Sequence, residues 1–131
     1  MAIRCVVVTP ERTELECEAS YLTLPMYDGE LGVATGRSAL IGRLGYGLLK
    51  LDLPTGSQSW FIDGGFAQVE DNVVSVLTSR AIAASELDVA EAEAAVETAS
   101  QLPGGSAELA QIRDTALLRA RGMVRAAKSP K

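Results

Sequence analysis

The sequence contains no histidine, and no other absence excludes as much. Serine–histidine–aspartate and cysteine–histidine nucleophile systems, imidazole acid–base catalysis and histidine-ligated zinc are all ruled out. Cysteine is scarce: Cys5 and Cys17 are the only two, so a four-thiolate metal site is also impossible. No apolar run approaches the roughly 18 residues that a membrane-spanning helix needs. Positive charge is in deficit, with 12 Lys and Arg against 17 Asp and Glu and a net charge of −5. This argues against wrapping nucleic acid, or docking on anionic lipid by charge alone; any such partner would need a local basic patch. No Gly-Lys-Ser or Gly-Lys-Thr occurs, and Gly45-Tyr46-Gly47 runs into a strand pattern rather than a helix. The glycine clusters thus read as turns and bulges, not as phosphate loops.

What is present is a chain of 131 residues, 47% hydrophobic and 22% charged. That is the length of one ordinary domain, or a small domain with an appendage, and its balance is globular rather than disordered. Met1-Ala2-Ile3-Arg4 opens directly into a strand-like run without a signal-peptide pattern, which favours the cytosol. In that compartment Cys5 and Cys17 are expected to be reduced, half-buried strand residues rather than a disulfide.

The chain changes period near residue 84. Before it, Val, Ile, Leu and Thr alternate between turn residues. In Glu14-Leu15-Glu16-Cys17-Glu18 three carboxylates interleave with apolar partners, as on a strand with one wet face. Strands are predicted at 3–8, 14–18, 20–24, 46–53, 57–63, 65–70 and 73–79, with shorter pieces around Gly32 and Leu40. Thr9-Pro10-Glu11-Arg12, Pro54-Thr55-Gly56 and Asp71-Asn72 supply the turn chemistry. Connections this short leave no room for crossover helices, so an antiparallel sandwich or flattened barrel is expected and a parallel sheet is not. Beyond residue 84 alanine-rich helical spacing takes over. Ser85 is the candidate N-cap, with Asp88 at the capping-box position; Pro103-Gly104-Gly105 breaks the helix and Ser106 caps a second one running to about Lys128. The expected class is α+β: an N-terminal β-sandwich over 1–84, then a helical hairpin over 85–131.

Val89, Ala92, Val96 and Ala99 on the first helix, and Leu109, Ile112, Ala116, Ala120, Met123 and Ala127 on the second, form stripes that can face each other. Side chains this small make a shallow seam, further weakened by Gly122, so the hairpin is expected to detach from the sandwich. The first helix is acidic and the second basic, an attraction that salt weakens.

Candidate chemistry is thin. Asp28 and Glu30 are a carboxylate pair, but they flank Gly29 in a turn with no histidine or thiolate near in sequence, and a solvated turn is the simpler reading. Arg121 and Arg125 share a helical face and, with Arg119, can fork phosphate, although most such runs are solvated faces. Met26, Tyr27, Leu31 and Val33 are candidates for an exposed apolar rim, or equally for core. Trp60 and Phe61 must point to opposite sides of one strand. The residues alone indicate an interaction or regulatory subunit.

Leu22-Thr23-Leu24-Pro25-Met26-Tyr27-Asp28-Gly29-Glu30-Leu31-Gly32-Val33 resembles the epsilon subunits of F-type ATP synthases. Phe61-Ile62-Asp63-Gly64-Gly65-Phe66-Ala67-Gln68-Val69 and Ala81-Ile82 leading into Leu87-Asp88 are similar to the same family, in order and spacing. The resemblance implies a non-catalytic subunit without a cofactor, whose sandwich sits against the gamma subunit beside the proteolipid ring at the membrane's cytoplasmic face. It further implies a hairpin that can extend toward the catalytic head and restrain ATP hydrolysis. By that resemblance Asp28, Gly29, Glu30, Leu31 and Arg37 are expected near the ring and stalk, and Arg119, Arg121 and Arg125 on the hairpin's regulatory face. Arg37 stands where the family usually has histidine. ATP-binding members carry an arginine where this chain has Glu91, which reverses the local charge and argues against the competing reading, a nucleotide sensor. A generic sandwich adaptor is the reading from a third class.

Overall fold

The computed structural model describes residues 2–128. Eight strands come first: β1 (Ile3–Val8), β2 (Thr13–Ala19), β3 (Tyr21–Met26), β4 (Gly29–Ala34), β5 (Leu40–Leu53), β6 (Gly56–Glu70), β7 (Val73–Leu77) and β8 (Ala81–Ala83). A 3-10 turn at Ala84–Glu86 leads to helices α1 (Val89–Ser100) and α2 (Ala107–Lys128). The ends of the two expected segments, residue 1 and residues 129–131, lie outside the described residues. None of the described helices is long and apolar enough to cross a membrane.

The strands form one sheet in the order β2-β1-β7-β6-β5-β3-β4, with β8 added to β6. Its path ends at β2 and β4, so it is an open sheet folded into a sandwich and not a closed barrel. The fold occurs within β5 and β6. Their register runs through Leu44↔Gly65, then breaks and resumes at Tyr46↔Asp63. At the break Gly64 and Gly65 have φ of 70° and 107°, a region that side chains with a Cβ avoid, and a Cβ on Gly65 would collide with the Leu77 carbonyl oxygen. On one side of this corner β6 pairs with β8, on the other with β7. The expected strands at 57–63 and 65–70 are therefore one strand bent at its glycines, and the strand expected at 46–53 begins six residues earlier, its alternation hidden by Gly42, Gly45 and Gly47.

One ladder corrects the antiparallel expectation: β1 pairs with β7 in parallel, from Arg4↔Val73 to Val8↔Leu77. The other ladders are antiparallel. No helix supplies this crossover; the intervening strands β2 to β6 do. Turn expectations hold at Asp71 and Asn72, which adopt φ of 52° and 62° in a two-residue hairpin, the left-handed pair that matches strand twist.

Between the layers lies a core that includes Ile3, Val7, Leu22, Leu24, Leu49, Leu51, Ile62, Val69 and Val74, all from strands. A second cluster lies outside it, where Leu48, Phe61 and Ala84 meet Ala126, with Tyr46, Ile82, Leu87 and Met123 packed around them. Strand alternation separates the two: Leu49 and Trp60 face the inter-sheet core, Leu48 and Phe61 the helices. Cys5 and Cys17 are direct cross-strand partners and are free thiols. Cys5 is completely buried, more than the half-burial expected of it, because β1 is an interior strand, whereas Cys17 on edge strand β2 keeps partial exposure.

The N-cap of α1 is Asp88, not Ser85. Its Oδ1 accepts from the amides of Ala90 at 2.8 Å and Glu91 at 3.4 Å, while Ser85 lies in the preceding 3-10 turn. A carboxylate satisfies the orphan amides and also complements the helix dipole, so the acid wins over the hydroxyl. Ser106 does cap α2, accepting from Leu109 N at 3.1 Å. The expected α2 stripe holds only in its C-terminal half. Ala120 and Ala127 are buried, but Leu109 and Ile112 remain exposed. A second buried line, Gly122 and Ala126 with Met123 beside them, faces the sheet. Gly122 makes that contact close: a Cβ there would sit 2.5 Å from the Tyr46 carbonyl oxygen.

Candidate functional site

The five residues expected at the ring and stalk are brought together. Tyr27 and Asp28 form the two-residue turn between β3 and β4, closed by the Met26↔Gly29 pair. Gly29, Glu30 and Leu31 are therefore the first residues of β4, not loop residues. The 35–39 connector doubles back beside this turn, with Arg37 N donating to Ala34 O at 3.2 Å. The result is an open groove of about 580 Å³ at one end of the sandwich, lined by Asp28, Gly29, Glu30, Leu31 and Arg37.

Charge in this groove is mixed. Glu30 Oε2 lies 3.3 Å from Lys50 Nζ on β5, both exposed, a pair of little energetic weight in water. The Arg43 guanidinium stacks 4.1 Å above the Tyr27 ring and holds that turn in place. Of the expected apolar rim, Tyr27 is exposed, Met26 and Leu31 are half-buried, and Val33 belongs to the core.

The three hairpin arginines do not share one face. Arg121 and Arg125 line a groove between the helices together with Glu93 and Glu97 of α1, as their spacing predicts. Arg119 points instead at the sheet. Its Nε donates to Asp63 Oδ1 at 2.6 Å, and its guanidinium lies 5.5 Å from the centre of the Tyr46 ring. The hydrogen bond from Arg119 to Asp63 pushes the guanidinium pKa above its usual range. Asp63 is only 8% exposed and is the cross-strand partner of Tyr46 at the glycine corner. Arg119 therefore lies on the sheet-facing line, where residues 119, 122, 123 and 126 recur at helical spacing. Sequence reasoning missed Asp63 altogether. Its signal was available, since an acid directly after the apolar run Trp60-Phe61-Ile62 needs a partner when buried. Across the helices, Lys128 Nζ lies 3.7 Å from Glu93 Oε1, an exposed pair consistent with the opposite charges of the two helices.

Sequence reasoning also passed over an apolar row on the outer face of the sandwich. Phe66 pairs with Leu77, which pairs in turn with Val8, and both Phe66 and Leu77 are more than half exposed. Val73 and Ile41 extend the exposed surface. Strand parity carried this signal, because Phe66, Gln68 and Glu70 must share a face. Among the described residues no group of three acids or cysteines is placed to hold a metal ion.

A sandwich with exposed apolar and mixed-charge surfaces, and a small-residue hairpin laid on one side, is the design of an interaction subunit. Residues 2–84 match the model of the delta/epsilon chain β-sandwich domain of ATP synthase. The chain is 57% identical over 128 residues to the ATP synthase epsilon chain of Rhodopirellula baltica, covering 98% of this chain and all of that one. It is 32% identical to the epsilon chain of a Synechococcus strain, over 98% and 95% of the two lengths. The chain belongs to the epsilon chains of ATP synthase. Among solved structures, the mitochondrial ATP synthase of Euglena gracilis contains a chain of the same fold, with a TM-score of 0.83 at 24% identity, covering 95% of this chain and 81% of that one. A chain in the structure of the central stalk and c-ring of the Tetrahymena thermophila mitochondrial ATP synthase has the same fold, with a TM-score of 0.64 at 18% identity, over 95% and 96% of the two lengths.

Proposed function

We propose that this chain works as the non-catalytic central-stalk subunit of a proton- or sodium-translocating F-type ATP synthase, joining ring rotation to the catalytic head. The observation that carries the reading is the convergence of Asp28, Gly29, Glu30, Leu31 and Arg37 on one groove at one end of the sandwich. An exposed acidic turn with arginines beside it suits the short polar loops of a proteolipid ring. The apolar row through Phe66 and Leu77 is the surface offered to the gamma subunit. The solved relatives with this fold come from assemblies of the central stalk, the ring and the head. Such a subunit lies against the cytoplasmic face of a bacterial inner membrane without entering it. Glu93 and Glu97 already face Arg121 and Arg125, and this supports a hairpin that regulates by position and not by binding nucleotide.

The test compares ATP hydrolysis by an epsilon-depleted complex after adding the full chain or a chain ending at Ala84, with gamma binding measured for both. Inhibition by the full chain alone supports a regulatory hairpin. If both bind gamma and neither changes the rate, the regulatory part is wrong and coupling remains. If neither binds gamma, the stalk assignment itself fails.

A further inference from the structure

Asp63 has two arginines within reach, and they belong to different parts of the molecule. Arg119 arrives from α2 and holds Oδ1 at 2.6 Å. Arg80 comes from the connection between β7 and β8, with its Nε 3.8 Å from Oδ2, too far for a hydrogen bond but close enough for attraction. That connection is tied to the backbone of Asp63 itself: Asp63 N donates to Arg80 O at 3.1 Å, and Ser79 Oγ donates to Asp63 O at 2.9 Å. Thr78 Oγ1 also donates to Arg80 O at 3.2 Å. Arg80 therefore stays beside Asp63 wherever α2 goes.

Asp63 shares the helix-facing side of β6 with Phe61, so a lifting α2 takes Arg119 from the carboxylate and at the same time uncovers it to water. Were Arg119 the sole partner of Asp63, lifting α2 would exchange a short charge-assisted hydrogen bond for water alone, and the shallow contacts of Gly122 and Ala126 would gain that backing. We propose that Asp63 is an exchange point: it holds Arg119 while the hairpin is docked and passes to Arg80 when α2 lifts, so these three residues set how readily the hairpin leaves the sheet. In the docked state the second arginine sits at long range, so its hydrogen bond is held in reserve for the open state. This concerns the seating of the hairpin in the chain itself and stands apart from whether the hairpin inhibits hydrolysis.

The unusual consequence is that removing Arg80, which holds no bond to α2, should tighten the hairpin. In the isolated full-length chain, amide exchange of α2 is measured together with the distance between labels on unnatural amino acids at Gln58 and Gln111. Arg119→Gln is expected to speed α2 exchange about tenfold and to lengthen the distance, whereas Arg80→Gln is expected to slow exchange about twofold to threefold. Arg80→Lys, which keeps the charge, should lie near the unaltered chain. In an Asp63→Asn background the Arg80→Gln effect should vanish. If β5 and β6 amides show that Arg80→Gln loosens the sheet, Arg80→Met gives the same contrast. The proposal is overturned if loss of the Arg80 charge leaves α2 exchange unchanged or speeds it while the sheet stays intact, or if its effect survives Asp63→Asn.

Discussion

At the scale of single residues, burial and backbone geometry decide what the chemistry can be. Cys5 is sealed between the layers, and desolvation first, then the neighbouring Cys17 thiol, pushes its pKa up to about 12 from an ordinary value of 9.0. The folded chain thus holds this proton more tightly than the unfolded one. Its contribution is fully present below pH 9 and is lost as pH rises toward 12, where the unfolded thiol ionises and the folded one does not. The unfolding free energy of the full chain from urea titrations should therefore fall across pH 9–12 more steeply than that of Cys5→Ala, by about 1.4 kcal/mol per pH unit. Equal slopes would mean that Cys5 is not held as a thiol. Gly65 is governed by shape instead. With φ at 107° and no room for a Cβ against Leu77 O, Gly65→Ala should destabilise the sandwich by about 2 kcal/mol or more, read by the same denaturation assay. A loss below about 0.5 kcal/mol would show that the corner relaxes around a side chain.

At the scale of elements, the strands were legible where polar and apolar residues alternate, as in β2, and where turn chemistry was explicit, as at Asp71-Asn72. They were illegible in β5 and β6, because glycines at a corner look like an interruption in sequence while the strand runs through them. For α2 the period was readable but the partner was not: one helix carries a line toward α1 and another toward the sheet, and only tertiary contact shows that Arg119 belongs to the second. The contact at Gly122 makes this checkable. Alanine is a better helix former than glycine by about 1 kcal/mol, so in a free helix Gly122→Ala would stabilise. Docked, its Cβ would meet the Tyr46 carbonyl at 2.5 Å, and α2 must move away. The expected result is higher helicity by circular dichroism together with faster separation of α2 from β5, as measured by label distance. Helicity rising without separation would show that the sheet yields instead.

At the scale of the whole molecule, the candidate site was legible in part. The residues of the groove at the β3–β4 turn were named through the family resemblance, and their coming together was legible because, apart from Arg37, they are contiguous and a hairpin turn brings neighbours together. The Asp63–Arg119 contact joins positions 56 residues apart and the Phe66–Leu77 row joins three strands, so neither is visible along the chain. The same distinction bears on whether the hairpin is a separable module. Every buried residue of the inter-sheet core lies between Ile3 and Val76, and α2 covers only the outer cluster around Leu48 and Phe61. A chain ending at Ala84 should then keep its core and lose only that cover, at about 1.5–3 kcal/mol for each large side chain laid bare. Its urea unfolding is expected to remain cooperative with stability lower by about 3–6 kcal/mol, and Phe61→Thr should improve its solubility while harming the full chain. Non-cooperative unfolding of the shortened chain would instead make α2 a structural layer of the sandwich. A hairpin needed for the fold could not leave it as a regulatory arm.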